Sequence, residues 1–143
     1  MTIKEVEQQV IDDFAIFTDW MDKYEYLIEL GKNVPVISDK AKLESNLIKG
    51  CQSRVWLDAE IKDGKIFFSA DSDAIITKGI ISLLIRVFSG RTPQEILQAN
   101  LDFITEIGLQ ENLSPTRANG LLSMIKQIKA YAIAYLAKEE SSK

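Results

Sequence analysis

The hydrophobic period of this chain changes twice, and that restricts its fold more than any single residue does. Ile3, Val6, Val10, Phe14 and Phe17 recur at steps of three or four, which is one face of a helix. The pattern breaks near Thr18-Asp19. Trp20, Tyr24, Leu27 and Ile28 then outline a second helix, with Gly31 expected as its C-terminal stop. Lys32 to Lys42, holding Pro35 and Ser38-Asp39, reads as a connecting loop. A short strand is expected around Ser45 to Ile48. The period then falls toward two. Val55-Trp56-Leu57-Asp58-Ala59-Glu60-Ile61 is rich in strand formers, Lys62-Asp63-Gly64-Lys65 is a turn, and Ile66-Phe67-Phe68-Ser69-Ala70 returns as a second strand. Helical spacing resumes at Ala74: Ile75, Ile76, Ile80, Leu83, Leu84, Val87 and Phe88 make a broad apolar face that Gly90 ends.

Three more helices follow. Thr92-Pro93-Gln94-Glu95 combines an N-cap threonine, proline at the first position and a capping-box glutamate. Leu101 to Ile107 reads as a short helix stopped by Gly108. Ser114-Pro115 opens a last helix whose stripe is Leu121, Leu122, Ile125, Ile128, Ala132, Tyr135 and Leu136. The tail Lys138-Glu139-Glu140-Ser141-Ser142-Lys143 is polar and is expected to fray. No repeat, low-complexity stretch or linker divides residues 1–143, so one domain is expected, with its core over about 3–137. The fold class is α+β: a small antiparallel sheet packed against N- and C-terminal helices.

The chain has one cysteine, Cys51, and no histidine. No internal disulfide can form. A Cys-His nucleophile pair is excluded, and so is a zinc site of the usual Cys/His kind. No metal and no cofactor are expected. A net charge of −4 argues against a nucleic-acid partner. No membrane association is expected either, because the most apolar run, Gly79 to Ile85, is short and bracketed by Lys78 and Arg86. The N-terminus lacks a signal-peptide core, and a lone free thiol suits a reducing compartment, so the expected location is cytoplasmic.

Two readings of Cys51 stand side by side. A lone cysteine is often a small buried hydrophobe. Here, however, Gly50 frees the backbone for a tight loop, Gln52 and Ser53 are polar, and Lys49 and Arg54 would favour the thiolate if they point toward it. A thiolate can capture sulfur reversibly without a general base on its own chain.

Gly50-Cys51-Gln52-Ser53-Arg54-Val55-Trp56 resembles the signature of the SufE family, sulfur-accepting partners of cysteine desulfurases. Asp19-Trp20 with Tyr24-Glu25-Tyr26-Leu27-Ile28-Glu29-Leu30-Gly31, then Asp71-Ser72-Asp73-Ala74-Ile75-Ile76-Thr77-Lys78-Gly79, then Leu113-Ser114-Pro115-Thr116-Arg117-Ala118-Asn119-Gly120-Leu121 resemble further blocks of that family in the expected order. The likeness spans about residues 5 to 137. Asn112 departs from it, standing where relatives commonly carry a histidine. The resemblance implies a SufE/IscU-like fold. It also implies a persulfide carrier: Cys51 would take sulfane sulfur from a SufS-type cysteine desulfurase, stimulate that enzyme, and pass the sulfur to a SufBCD-type iron–sulfur scaffold complex. Two alternatives are a non-catalytic allosteric regulator of the desulfurase and a CsdE-like carrier feeding another acceptor. Independent enzymatic turnover is not implied.

The residues expected to support Cys51 are Gly50, Gln52, Ser53, Arg117 and Asp73. Arg117 reads as a salt-bridge or docking residue at the start of the last helix, where a cation opposes the helix dipole, or as a partner of the sulfur anion. Asp73 reads first as the N-cap of the buried helix, with Ser72 an equal candidate. Gly79, costly in mid-helix, is expected to permit close packing, with the Cys51 loop as its candidate partner.

Overall fold

The structure, a computed structural model, describes residues 1–141. Among them are six α-helices and one two-stranded antiparallel sheet. α1 (Ile3–Ala15) starts at a full capping box, with Thr2 as N-cap and Glu5 reaching back. α2 (Trp20–Lys32) is capped by Asp19. The hairpin β1 (Val55–Lys62) and β2 (Lys65–Ser72) follows, then α3 (Ile75–Phe88), α4 (Pro93–Gln98), α5 (Asp102–Glu106) and the long α6 (Pro115–Ser141).

The hairpin turn is Asp63-Gly64, and both residues have positive φ, at 54° and 78°. That backbone suits the right-handed twist of paired strands, which is why Asp-Gly is so strong a hairpin signal. It sets the register from Lys62 opposite Lys65 to Val55 opposite Ser72. Val55, Leu57, Ile66, Phe68 and Ala70 then share the buried face. Tyr131 and Tyr135 of α6 donate from their hydroxyls to the β1 carbonyls of Leu57 and Ala59 at 3.2 and 3.1 Å.

The hairpin's outer edges are not left bare. Ile48 donates to the Val55 carbonyl at 2.8 Å beside a single bridge between Leu47 and Trp56. Ala70 donates to Pro35, and Ile37 to Ala70, on the other side. Such single bridges blunt an edge that would otherwise offer free backbone groups to another chain. The strand expected at Ser45 to Ile48 is therefore reduced to one bridge. Glu44–Asn46 is a 3₁₀ turn instead, with Asn46 donating its amide to the Ala41 carbonyl at 2.7 Å.

α3 lies at the centre. Ile80, Ile81, Leu83, Leu84 and Val87 are at most 1% exposed and meet Val10 and Phe14 of α1, Leu27 of α2, and Leu121, Met124 and Ile128 of α6 in one core. Gly31 is not the stop expected of it. α2 runs on to Lys32, because Gly31 is where α2 crosses α3: a Cβ there would stand 2.9 Å from the Gly79 nitrogen. Gly79 in turn packs on the Leu27 carbonyl, where a Cβ would fall, and not on the Cys51 loop. The two glycines let the helix backbones touch, which offsets their intrinsic helix cost of about 1 kcal/mol each. Gly90 and Gly108, both at positive φ, do end their helices as expected. The frayed tail is corrected in part, since Lys138 to Ser141 continue α6; Ser142 and Lys143 lie outside the described residues.

Candidate functional site

Cys51 sits in the segment that joins the Leu47 bridge to β1. Three elements meet there: this loop, the first turns of α3 and the first turns of α6. They enclose a pocket of about 330 Å³, lined by Cys51, Gln52, Ser53, Ala74, Thr77, Ile80, Thr116, Arg117, Gly120 and Met124. The expected residues Cys51, Gln52, Ser53 and Arg117 are thus brought together, although Arg117 lies far from Cys51 in sequence.

Gly50 shapes the loop. Its φ is +97°, a conformation L side chains rarely adopt, and a Cβ would fall on Ser123 Oγ of α6. That close approach turns Cys51 toward α6. Its thiol donates to the Gly120 carbonyl with an Sγ···O distance of 3.7 Å. Gly120 lets this happen, because a Cβ there would press on Cys51 Sγ at 3.4 Å. The thiol is half-buried. Ser53 donates its hydroxyl to Thr77 Oγ1 at 3.2 Å and ties the loop to α3.

The far end of the loop is clasped by β2 and the link to α3. Arg54 donates its backbone N–H to Asp73 Oδ1 at 3.0 Å, while Ser72 donates its hydroxyl to the Arg54 carbonyl at 2.8 Å. Asp73 is accordingly not the N-cap of α3. That position is Ala74, which has no side-chain cap, and Asp73 spends its carboxylate on the loop. Ser72 Oγ also accepts from the Ala74 N–H at 3.2 Å. Next to this clasp, Asp71 pairs with Lys42 at 2.7 Å and Lys78 at 3.3 Å. Burial works against the Asp71 carboxylate, but the Lys42 ammonium, the Ser72 N–H and the Lys78 ammonium outweigh it and hold its pKa below the ordinary value.

The electrostatics of Cys51 differ from expectation. Lys49 and Arg54 are both exposed, and burial alone acts on the thiol, pushing its pKa above the ordinary value. Neighbours in sequence turn their charges to water, so Cys51 rests as a protonated thiol. Arg117 is exposed at the pocket wall and makes no ion pair among the described residues. Its backbone N–H donates to Ser114 Oγ at 3.3 Å, which leaves the guanidinium free to meet an incoming anion. Asn112 accepts from the Tyr24 hydroxyl at its backbone carbonyl, and its side-chain amide donates to the Gly108 carbonyl at 2.8 Å.

Sequence reasoning missed Thr77, Gly120, Ser123 and Met124. Only Thr77 leaves a trace in the sequence: a hydroxyl inside the buried stripe of α3. Among the described residues no group of three or more Cys, Asp or Glu side chains could hold a metal ion, and no helix is long and apolar enough to cross a membrane.

Cys51 is thus a half-buried thiol on a loop between a hairpin and two helices. The chain belongs to the SufE family, whose model, described as an Fe-S metabolism associated domain, matches residues 8–132. It is 43% identical over 129 residues to an uncharacterised SufE-like protein of Rhizobium meliloti, covering 87% of this chain and 92% of that one. An uncharacterised SufE-like protein of Synechocystis is 38% identical over 127 residues, covering 89% and 80%. SufE-like protein 1 of Arabidopsis thaliana, described as chloroplastic/mitochondrial, is 38% identical over 138 residues, covering 94% of this chain and 37% of that protein. The fold matches the solution structure of a hypothetical protein from Thermus thermophilus with a TM-score of 0.76 at 22% identity, covering 92% and 96%. Family membership places the chain in iron–sulfur metabolism, in a sulfur-transfer role.

Proposed function

We propose that Cys51 is a persulfide carrier, loaded by a SufS-type cysteine desulfurase and unloaded onto a SufBCD-type iron–sulfur scaffold complex in the cytoplasm. The observation that carries this reading is the placement of the chain's one thiol beside a pocket far larger than a sulfur atom, on a loop held by a few hydrogen bonds.

In the loading step the Cys51 thiol first loses its proton to solvent. The thiolate attacks the terminal sulfur of the desulfurase's cysteine persulfide. A new S–S bond forms on Cys51 as the old one breaks, and the bonding pair leaves on the desulfurase cysteine, which returns as a thiol. Sulfane sulfur changes carrier and no outside oxidant or reductant is needed. Arg117 at the pocket wall is positioned to accompany the anionic persulfide, and Ser53 and Thr77 offer hydroxyls to it. Desulfurase turnover rises because its product sulfur is removed.

The test is intact mass of the protein after incubation with its host's desulfurase and free cysteine, without reductant. The expected result is added sulfur mass that dithiothreitol removes and Cys51→Ser abolishes. Faster desulfurase turnover with both wild type and Cys51→Ser, and no added mass, would replace this reading with the allosteric regulator. Loading without delivery to the scaffold complex would redirect the second step to a different acceptor, as for a CsdE-like carrier.

A further inference from the structure

The pocket beside Cys51 holds a second sulfur, which the transfer chemistry above leaves unused. Met124 of α6 lines that pocket and is 1% exposed, whereas Met1 and Met21, the chain's other methionines, are 69% and 70% exposed. A buried methionine commonly fills a gap between apolar side chains. Met124 does so on one side, in the core cluster with Leu121 and Ile128, and faces the pocket with the other. Its place on α6 aims it at the thiol. Met124 stands one turn after Gly120, and long side chains on a helix lean toward the N-terminus, over the residue four positions earlier. Gly120 has no side chain to occupy that ground. Cys51 Sγ occupies it instead: it donates to the Gly120 carbonyl at 3.7 Å and would stand 3.4 Å from a Cβ there. Thiol and thioether therefore converge over one glycine. The Met124 thioether makes no hydrogen bond among the described residues, unlike that of Met1, which accepts from Gln9 at 3.6 Å.

We propose that Cys51 and Met124 form a binding site for copper(I), held between the thiolate and the thioether. These are the soft ligands that select a soft monovalent ion. The rest of the wall selects against harder ions. No carboxylate lines the pocket and the chain has no imidazole, so zinc, calcium and magnesium lack the nitrogen and oxygen donors they need. Charge acts in the same direction. The incoming ion displaces the thiol proton to solvent, and a thiolate with a monovalent ion is neutral. A divalent ion would leave a net positive charge in a half-buried pocket whose charged wall residue is Arg117. The Gly120 carbonyl, released from the thiol's hydrogen, stays beside the ion as a weaker donor. No electron is exchanged, because the copper arrives and stays as copper(I). A metal-bound thiolate cannot attack a persulfide, so in the carrier proposed above the ion and the sulfur compete for Cys51.

The test is an anaerobic titration of the reduced full chain with copper(I) against a competing chelator, with zinc sulfate as the comparison. The readouts are native mass, affinity and X-ray absorption at the copper edge. One ion per chain, held by two sulfur ligands, is expected, with zinc bound far more weakly. Cys51→Ser should abolish binding. Met124→Leu conserves side-chain volume and should fold. It is expected to weaken binding by about 10–100-fold or more, since losing a ligand costs at least as much as losing a group that only orients one. The alkylation rate of Cys51 in the metal-free protein should not change in Met124→Leu, which separates a lost ligand from a disturbed loop. Copper bound as tightly by Met124→Leu as by wild type, zinc bound as tightly as copper, or a copper-linked dimer with one ion between the thiols of two copies would each overturn the proposal.

Discussion

Gly50→Ala is the substitution that most directly tests how the Cys51 loop is held. Two separable costs follow from the geometry. The first is backbone strain, because alanine at a φ of +97° is disfavoured by about 1–2 kcal/mol relative to glycine. The second is steric, because the new Cβ falls on Ser123 Oγ, and crowding of this kind costs about 1 kcal/mol or more. Together they destabilise the closed loop by about 2–3 kcal/mol, which at 1.4 kcal/mol per factor of ten raises the open population roughly 30- to 140-fold. Alkylation of Cys51 by a bulky maleimide reads that population as long as the open form stays minor. The Ser123→Ala background separates the two costs. It removes the hydroxyl but leaves the Ser123 Cβ 3.3 Å from the added methyl, so it relieves the clash and not the backbone strain. Gly50→Ala with Ser123→Ala is therefore expected to alkylate about tenfold faster than wild type, between wild type and the single variant. Ser123→Ala alone should be close to wild type. An unchanged rate in Gly50→Ala would refute the claim that this glycine holds the thiol in place.

The pH dependence of Cys51 alkylation by iodoacetamide should have its midpoint above that of a free cysteine, because burial disfavours the thiolate, and the midpoint should fall back in denaturant; a midpoint at or below the free value would mean that a cation reaches the sulfur after all. Asp71→Asn should cost about 1 kcal/mol at neutral pH, since it breaks two ion pairs to a carboxylate whose side chain is 17% exposed. The folded pKa of Asp71 lies below the unfolded one, so its stabilisation is present above the unfolded value and is lost as pH falls through the folded one. Urea melts of wild type and variant should therefore converge in acid, and a gap independent of pH would show that the loss is one of packing.

Much of the fold is written locally in the chain. The capping boxes at Thr2–Glu5 and Thr92–Glu95 and the Asp63-Gly64 turn rest on neighbours within four residues, so the pattern alone discloses the helix starts and the strand register. Gly31 misleads for the opposite reason. A glycine near a helix end has the same sequence signal whether it stops the helix or lets another backbone approach, and here the approaching backbone is Gly79, 48 positions away. Asp73 misleads because a residue type that caps helices can equally accept from a loop N–H. The motif around Cys51 discloses the loop, but the wall facing it comes from Thr77, Gly120, Ser123 and Met124, on helices whose docking only the tertiary structure sets.

The absence of histidine and the raised thiol pKa fit a single account of the proposed carrier. A protonated thiol is a poor nucleophile and a poor target for oxidants, so the closed loop protects the sulfur between transfers. The same burial would make loading slow if the loop stayed shut. What shuts it is modest: the Gly120 contact and the Ser53–Thr77 bond are single hydrogen bonds and the Arg54 clasp adds a few more, each contributing about 1 kcal/mol net. A docking partner can supply a few kcal/mol from a small part of its interface. Once the loop opens, the desolvation that raised the pKa is gone, and the thiol returns toward its ordinary value. An attacking thiol works best with a pKa near ambient pH, where nucleophilicity and thiolate fraction balance. Exposure on docking thus does the work that a histidine base does in cysteine hydrolases, and it confines the reactive state to the partner that opens the loop.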